Sequence, residues 1–235
     1  MSAIGRRILI VAAHPDDEVL GMGGTIAIHA KVAGDAVRIV CLTDGSSSQY
    51  PGDDARRLRK NDEAVQAAAV LGVTDYVHLT FPDMRLDSVP HVEINRAIEG
   101  QVVDFQPDTV YSVHPDVNLD HRAAFRSVIV ATRPTPQQCV RRVLSFAPIS
   151  SVEWTAPGEN WFVPNWFTDV STTLNVKLEA FRCYETEQRP YPHPRNARAL
   201  RATAEFYGAG VGCEFAEPFV LVRNIDRNGR SEGDY

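Results

Sequence analysis

The chain is expected to fold as an α/β protein, a mostly parallel central sheet with helices on both faces. Three observations predict this. Strand-length apolar runs alternate with segments of helical periodicity through the first two-thirds of the 235 residues. The first run, Ile8-Leu9-Ile10-Val11-Ala12-Ala13, has no polar face, which suits a strand buried on both sides. Four successive strands end in polar turns, at His14 to Glu18, Asp44, Asp83, and His114 to His121. In a parallel sheet such turns lie along one edge and can converge.

Taken in order, the run at 8–13 stops at His14-Pro15-Asp16-Asp17-Glu18, and a helical pattern follows over 19–32. Residues 37–42 read as the second strand, leading into Thr43-Asp44-Gly45-Ser46. A helix is expected over 54–71, with Leu58, Val65, Ala68 and Leu71 near helical spacing and Gly72 as its stop. The third strand is 76–79, ending at Phe81-Pro82-Asp83. Helix 92–103, strand 109–113, helix 121–131 and strand 141–146 continue the alternation. The aromatic stretch 154–166 reads equally well as a lid or as a β-hairpin packed on the sheet. A helix over 174–187, a stiff proline-rich loop at 189–194, a helix over 196–208 and a last strand at 219–223 complete the pattern. The whole chain is read as one domain, with its core at about 7–222 and a polar tail that frays from Asp226.

The formal net charge of -6 gives a nucleic-acid partner no electrostatic support. No stretch is long and apolar enough to cross a bilayer, and no secretory signal is read at the N-terminus. Cys41, Cys139, Cys183 and Cys213 are scattered, with no CxxC pair. That usage fits a reducing cytoplasm, without a disulfide framework or a cysteine zinc site. Homo-oligomerisation is compatible with the sequence.

Chemistry concentrates at the first turn. Asp16 or Asp17 could simply cap the next helix. Capping needs one acid rather than three, however, and has no use for His14. A metal site reads the turn better. His14 and a following acid supply two ligands, and Asn118-Leu119-Asp120-His121, on the turn after the fourth strand, supplies a third. Two imidazoles and one carboxylate form the hydrolytic zinc set, with one position open for water. A neighbouring carboxylate outside that set can serve as general base, which gives the Asp16-Asp17 pair two separate tasks. Gly21-Met22-Gly23-Gly24 is no dinucleotide fingerprint, because three acids at the turn would repel a pyrophosphate. Close helix–strand packing, or space around the turn, is the expected use of these glycines.

Ala13-His14-Pro15-Asp16-Asp17-Glu18 resembles the signature of the PIG-L / LmbE-like zinc de-N-acetylases. Weaker matches run from about Arg7 to Val222: Leu42-Thr43-Asp44-Gly45, Arg59 with Glu63 and Leu71-Gly72, Pro82-Asp83, Asp120-His121-Arg122, and Gly212-Cys213-Glu214-Phe215-Ala216-Glu217-Pro218-Phe219. The resemblance implies a Rossmann-like three-layer fold and hydrolysis of an N-acyl group, usually acetyl, from a glucosamine-containing molecule. It implies one zinc per chain on His14, Asp17 and His121, with Asp16 as the base. Arg59, Asp83 and Asp44 would stand on the substrate side, although Arg59 reads as readily as an i,i+4 partner of Glu63. Many relatives carry His-x-Asp-His where this chain has Asn118, so the oxyanion falls to His114 or to the Asn118 amide. His193 reads as inert in its loop. Trp154, Trp161 and Trp166 are candidates for stacking on a sugar or for core packing. Two other functions use the same residues: a non-catalytic sugar-binding or regulatory protein, and a non-haem iron oxygenase reading His14-Pro15-Asp16 with a distant histidine. The spare acid counts against the first and the strand–helix alternation against the second.

Overall fold

Hydrophobic strands buried on both faces need a helical layer on each side, and the fold supplies both. The computed structural model describes residues 5–48 and 50–226; the expected fraying of the tail lies outside the described residues. Seven strands form one sheet in the order β3-β2-β1-β4-β5-β7-β6. They are β1 (Arg7–Ala12), β2 (Ala36–Thr43), β3 (Asp75–Phe81), β4 (Thr109–Val113), β5 (Arg142–Phe146), β6 (Trp166–Asp169) and β7 (Ala216–Asn224). The first five run parallel. β7 is antiparallel to both β5 and β6.

The helices are α1 (Asp17–Ala27), α2 (Asp54–Leu71), α3 (His91–Phe105), α4 (Leu119–Ala131), α5 (Leu174–Cys183) and α6 (Ala197–Val211). β1 is central among the parallel strands, and right-handed crossovers put the helices of its two sides on opposite faces of the sheet. α1 and α2 carry the chain one way from β1, and they pack with α5 on one face. α3 and α4 carry it the other way and pack together. The direction of growth therefore reverses between β1 and β4, whose carboxyl ends lie side by side. Ligands bind at such a switch point in open α/β sheets.

Local chemistry accounts for the helix ends. Asp53, Asn118 and Asn196 cap α2, α4 and α6 by accepting from backbone N–H groups one turn in. Gly72 ends α2 at φ 89°, a conformation that glycine adopts without a Cβ clash. Helix α1 is broken at Met22 (φ -148°, ψ 23°). The break frees the N–H groups of Gly24 and Thr25, and the buried Glu217 carboxylate on β7 accepts both, at 3.0 and 2.7 Å. Lys177 Nζ, 2.6 Å from the same carboxylate, balances its charge. The glycine run is packing space: a Cβ on Gly21 would stand 2.4 Å from the Phe146 ring, and one on Gly24 would stand 2.9 Å from Val170.

The structure departs from the sequence expectations in five places. The helix expected over 19–32 becomes α1 followed by a π-helical turn, Ile28–Ala33. The helix expected to reach Glu187 stops at Cys183, so Glu187 lies on the connection to α6. The stretch 154–166 is not a hairpin: it is a short 3-10 turn, Val152–Trp154, and a loop that leads into β6, an edge strand missing from the sequence reading. β7 begins three residues earlier than expected. In α2, Leu58 and Val65 are exposed, whereas Lys60, Glu63, Ala64, Ala67, Ala68 and Leu71 are buried. Ion pairs at Lys60 and Glu63 outweigh the apolar periodicity in the first half of that helix.

Candidate metal centre and active site

The site lies where the turns after β1 and β4 meet. The ring centroids of His14 and His121 are 5.3 Å apart. His14 Nε2 lies 3.1 Å from Asp120 Oδ2, and its other nitrogen, Nδ1, faces Asp17 Oδ2 at 3.5 Å. His121 Nδ1 lies 2.9 and 3.0 Å from the Asp116 carboxylate oxygens, and Nε2 faces Asp17 Oδ1 at 3.4 Å. Each imidazole thus has one nitrogen bonded to a carboxylate and turns the other toward Asp17. That arrangement of outer carboxylates fixes the tautomer of metal-binding histidines. One ligand atom from each of His14, Asp17 and His121 lies within 4.8 Å of the others.

The electrostatics of this cluster favour a cation. Burial opposes charge on His14, yet bonds to Asp120 and Asp17 outweigh it and raise its pKa to about 10. His121 is raised to about 9 against the same burial, chiefly by the Asp17 charge. Asp17 is held well below the usual carboxylate range, despite burial, by His121 and His14. A field that keeps protons on two neighbouring imidazoles also draws a divalent ion into the same space, and the ion displaces those protons. The donors therefore fit a metal that accepts two nitrogens and one oxygen.

Asp16 is held differently. Its backbone is left-handed, at φ 108°, an uncommon conformation for a residue other than glycine. Its carboxylate makes no capping bond to α1, so capping does not explain the acid. Both carboxylate oxygens are buried without a hydrogen-bond partner. Burial pushes its pKa up to about 7, against the pull of Arg195. Strain and a buried carboxyl group without a hydrogen-bond donor at one residue are the mark of a functional position. The turn itself is tied down by Asp17 Oδ2, which accepts from the Ala13 and His14 N–H groups. Glu18 helps by bonding the Tyr184 hydroxyl at 2.6 Å and the Asp16 N–H at 3.3 Å. A cavity of about 280 Å³ opens onto this turn, lined by His14, Asp16, Lys60, Asp83, Asn118 and Arg195 among others.

The match to known proteins agrees with this geometry. The family model described as PIG-L, GlcNAc-PI de-N-acetylase, matches residues 9–132. A diacetylchitobiose deacetylase of Thermococcus kodakarensis is 30% identical over 94% of this chain and 84% of its own length.

The chain belongs to the PIG-L (LmbE-like) family.

It is an enzyme of the hydrolytic deacetylase kind. A probable N-acetyl-alpha-D-glucosaminyl L-malate deacetylase 2 of Bacillus cereus is 26% identical over 77% of this chain and 84% of its own length. The crystal structure of a conserved protein from Thermus thermophilus superposes with a TM-score of 0.75 at 26% identity, covering 96% of this chain and 99% of that one. The shared α/β sheet differs from the all-β scaffolds of the iron oxygenases considered from sequence. No helix among the described residues is long and apolar enough to cross a membrane.

The other residues singled out in this PIG-L-family sequence divide by position. Asn118 and Asp83 line the cavity. Asn118 Oδ1 caps α4 by accepting from the Asp120 N–H. His114 does not line the cavity; its Nδ1 is 3.2 Å from Ser145 Oγ, its Nε2 3.0 Å from the Asn160 carbonyl, and its ring edge-on to Phe162. Arg59 does not line the cavity; it bonds Glu63 at 3.2 Å and Glu185 at 2.6 Å. Asp44 accepts from the Ser46 and Ser47 N–H groups of its own turn. Trp154 lines the cavity and stands edge-on to His193, whereas Trp166 lies in β6 against the core. Sequence reasoning assigned no task to Asp116, Asp120, Lys60, Glu187 or Arg195. The first two were findable, since a ligating imidazole needs an acceptor on its second nitrogen and both acids lie within five residues before His121. The last three carry no local pattern.

Proposed function

We propose that this family member is a zinc-dependent hydrolase removing an N-acetyl group from a glucosamine-containing small molecule or glycoconjugate. The observation that carries this reading is the buried Asp16 carboxylate, which accepts no hydrogen bond among the described residues, beside three side chains whose ligand atoms converge within 4.8 Å. His14, Asp17 and His121 would hold the zinc. When bound there, zinc supplies Lewis acidity, which brings a water pKa to about 7 and polarises a carbonyl oxygen.

The protein's own groups then divide the work. Asp16 takes the proton of the attacking water, and its raised pKa matches that task near neutrality. The Asn118 amide donates to the developing oxyanion. The geometry favours it over His114, because Asn118 lines the cavity and the His114 nitrogens are occupied by Ser145 and Asn160. Asp16 hands its proton to the leaving amine as the tetrahedral carbon collapses. Asp83 lines the cavity wall, which supports a contact with a sugar hydroxyl. The cavity is at the small end of ligand clefts, which suits one sugar ring with its aglycone in solvent. The relatives' named substrates, diacetylchitobiose and N-acetylglucosaminyl malate, set the class to be tried. Arg59 and Asp44 are left outside the substrate set on this reading.

The test is acetate and amine release across a panel of N-acetylglucosaminides, including diacetylchitobiose. Activity should vanish with a chelator and return with about one zinc per chain. Asp16→Asn should keep its zinc and lose about 10²–10⁴ in turnover. Wild-type turnover in zinc-loaded Asp16→Asn removes Asp16 from the mechanism, and silence across the panel removes the substrate class.

A further inference from the structure

The connection between α5 and α6 contributes Glu187 and Arg195 to the cavity wall and carries a charged assembly that the mechanism above leaves unused. Arg195 stands one residue before the Asn196 cap of α6. Its Nη1 lies 3.4 Å from Asp16 Oδ2. The guanidinium is fixed from two other sides. Its Nε donates to Ser150 Oγ at 2.9 Å, and its Nη1 pairs with Glu187 Oε2. Glu187 is fixed in turn: its other oxygen lies 2.5 Å from Lys60 Nζ, which also donates to the Gly45 carbonyl. Lys60 and Glu187 are both buried. The chain thus runs from the turn after β2, through α2, to the α5–α6 connection, and ends on one carboxylate oxygen of Asp16.

That contact matters because no hydrogen bond among the described residues holds the carboxylate. Neither Asp16 oxygen accepts a hydrogen bond. A carboxylate without donors turns freely about its last torsion, which is broad and two-fold. A guanidinium fixed beside Oδ2 selects one orientation and leaves Oδ1 turned away from it. We propose that Arg195, held by Glu187 and Ser150, is a positioning residue that orients the Asp16 carboxylate toward the attacking water. The inference rests on Asp16 being the general base. It assigns the 187–195 connection a part in the chemical step rather than in substrate affinity alone. A misplacement of about 1 Å in a reacting group can cost roughly a hundredfold in rate.

The test is a double-mutant cycle with the zinc-loaded enzyme on whichever N-acetylglucosaminide the panel identifies. Arg195→Ala should lower kcat about ten- to a hundredfold with KM within about twofold. In the Asp16→Asn background the same change should cost almost nothing, because its target is gone. Arg195→Lys should recover part of the loss, and millimolar guanidinium should restore turnover to Arg195→Ala without helping Asp16→Asn. Zinc content and thermal melting exclude general damage; if Arg195→Ala does not fold, Arg195→Lys carries the same cycle. A loss equal in both backgrounds, or one confined to KM, overturns the inference and leaves Asp16 as the base. Full turnover in Asp16→Asn alone overturns the base assignment, and this inference with it.

Discussion

Asp16 and Asp17 are adjacent and chemically identical, and their surroundings separate them. Asp17 accepts two backbone N–H groups and faces two imidazoles, so its charge is satisfied. Asp16 sits on a left-handed backbone with no donor on its carboxylate. The same division recurs among the outer acids. Asp120 accepts from the Leu86 N–H and faces His14 Nε2, and so positions that ring. Asp120→Asn keeps an acceptor but loses the charge. Zinc affinity should fall about 10–100-fold, read by competition with a chelating dye. Unchanged affinity would mean that the His14 ring needs no such anchor.

The N-terminus of α4 brings two functions together in one side chain. Asn118 Oδ1 caps the helix, while its Nδ2 donates to the Met84 sulfur at 3.6 Å on the cavity wall and keeps a second N–H. The two tasks separate by substitution. Asn118→Ala removes both and should lower stability by about 1 kcal/mol. Asn118→Asp keeps the cap and should melt near the parent temperature. Turnover should fall about a hundredfold or more in both, if the amide serves the oxyanion. An active Asn118→Asp enzyme returns that role to another donor. Helix α1 shows a different economy. Its break at Met22 exposes two N–H groups inside the core, and Glu217, distant in sequence, accepts them.

Across the molecule, Glu217 and Lys177 tie β7 and α5 to α1, the helix that follows the His14–Asp17 turn. Glu217→Gln leaves the Lys177 ammonium buried without its charge partner. We expect a loss of about 3 kcal/mol in urea unfolding, because breaking one side of a buried pair strands the other. A midpoint equal to the parent's would show that the break in α1 holds without this carboxylate. The strands β1 to β5 and β7 and all six helices were legible from periodicity and turn residues, which act over a few positions. The edge strand β6 was not. Its four residues, Trp166–Asp169, pair only with β7 and have too short a pattern to separate from a loop.

The sequence by itself determined the α/β alternation and the polar turn after each of the first strands. It also determined the candidates His14, Asp16, Asp17 and His121, because acids and imidazoles crowded at a strand end have a local meaning. Tertiary structure decided which of those groups face each other. It put β4 beside β1, so that residues more than a hundred positions apart share one space. It also carried Lys60 and Glu187 into burial and set Arg195 against Asp16. A charge pair spanning distant segments leaves no periodicity in the chain, because its stabilisation depends on the distance between two side chains and not on their spacing along the backbone.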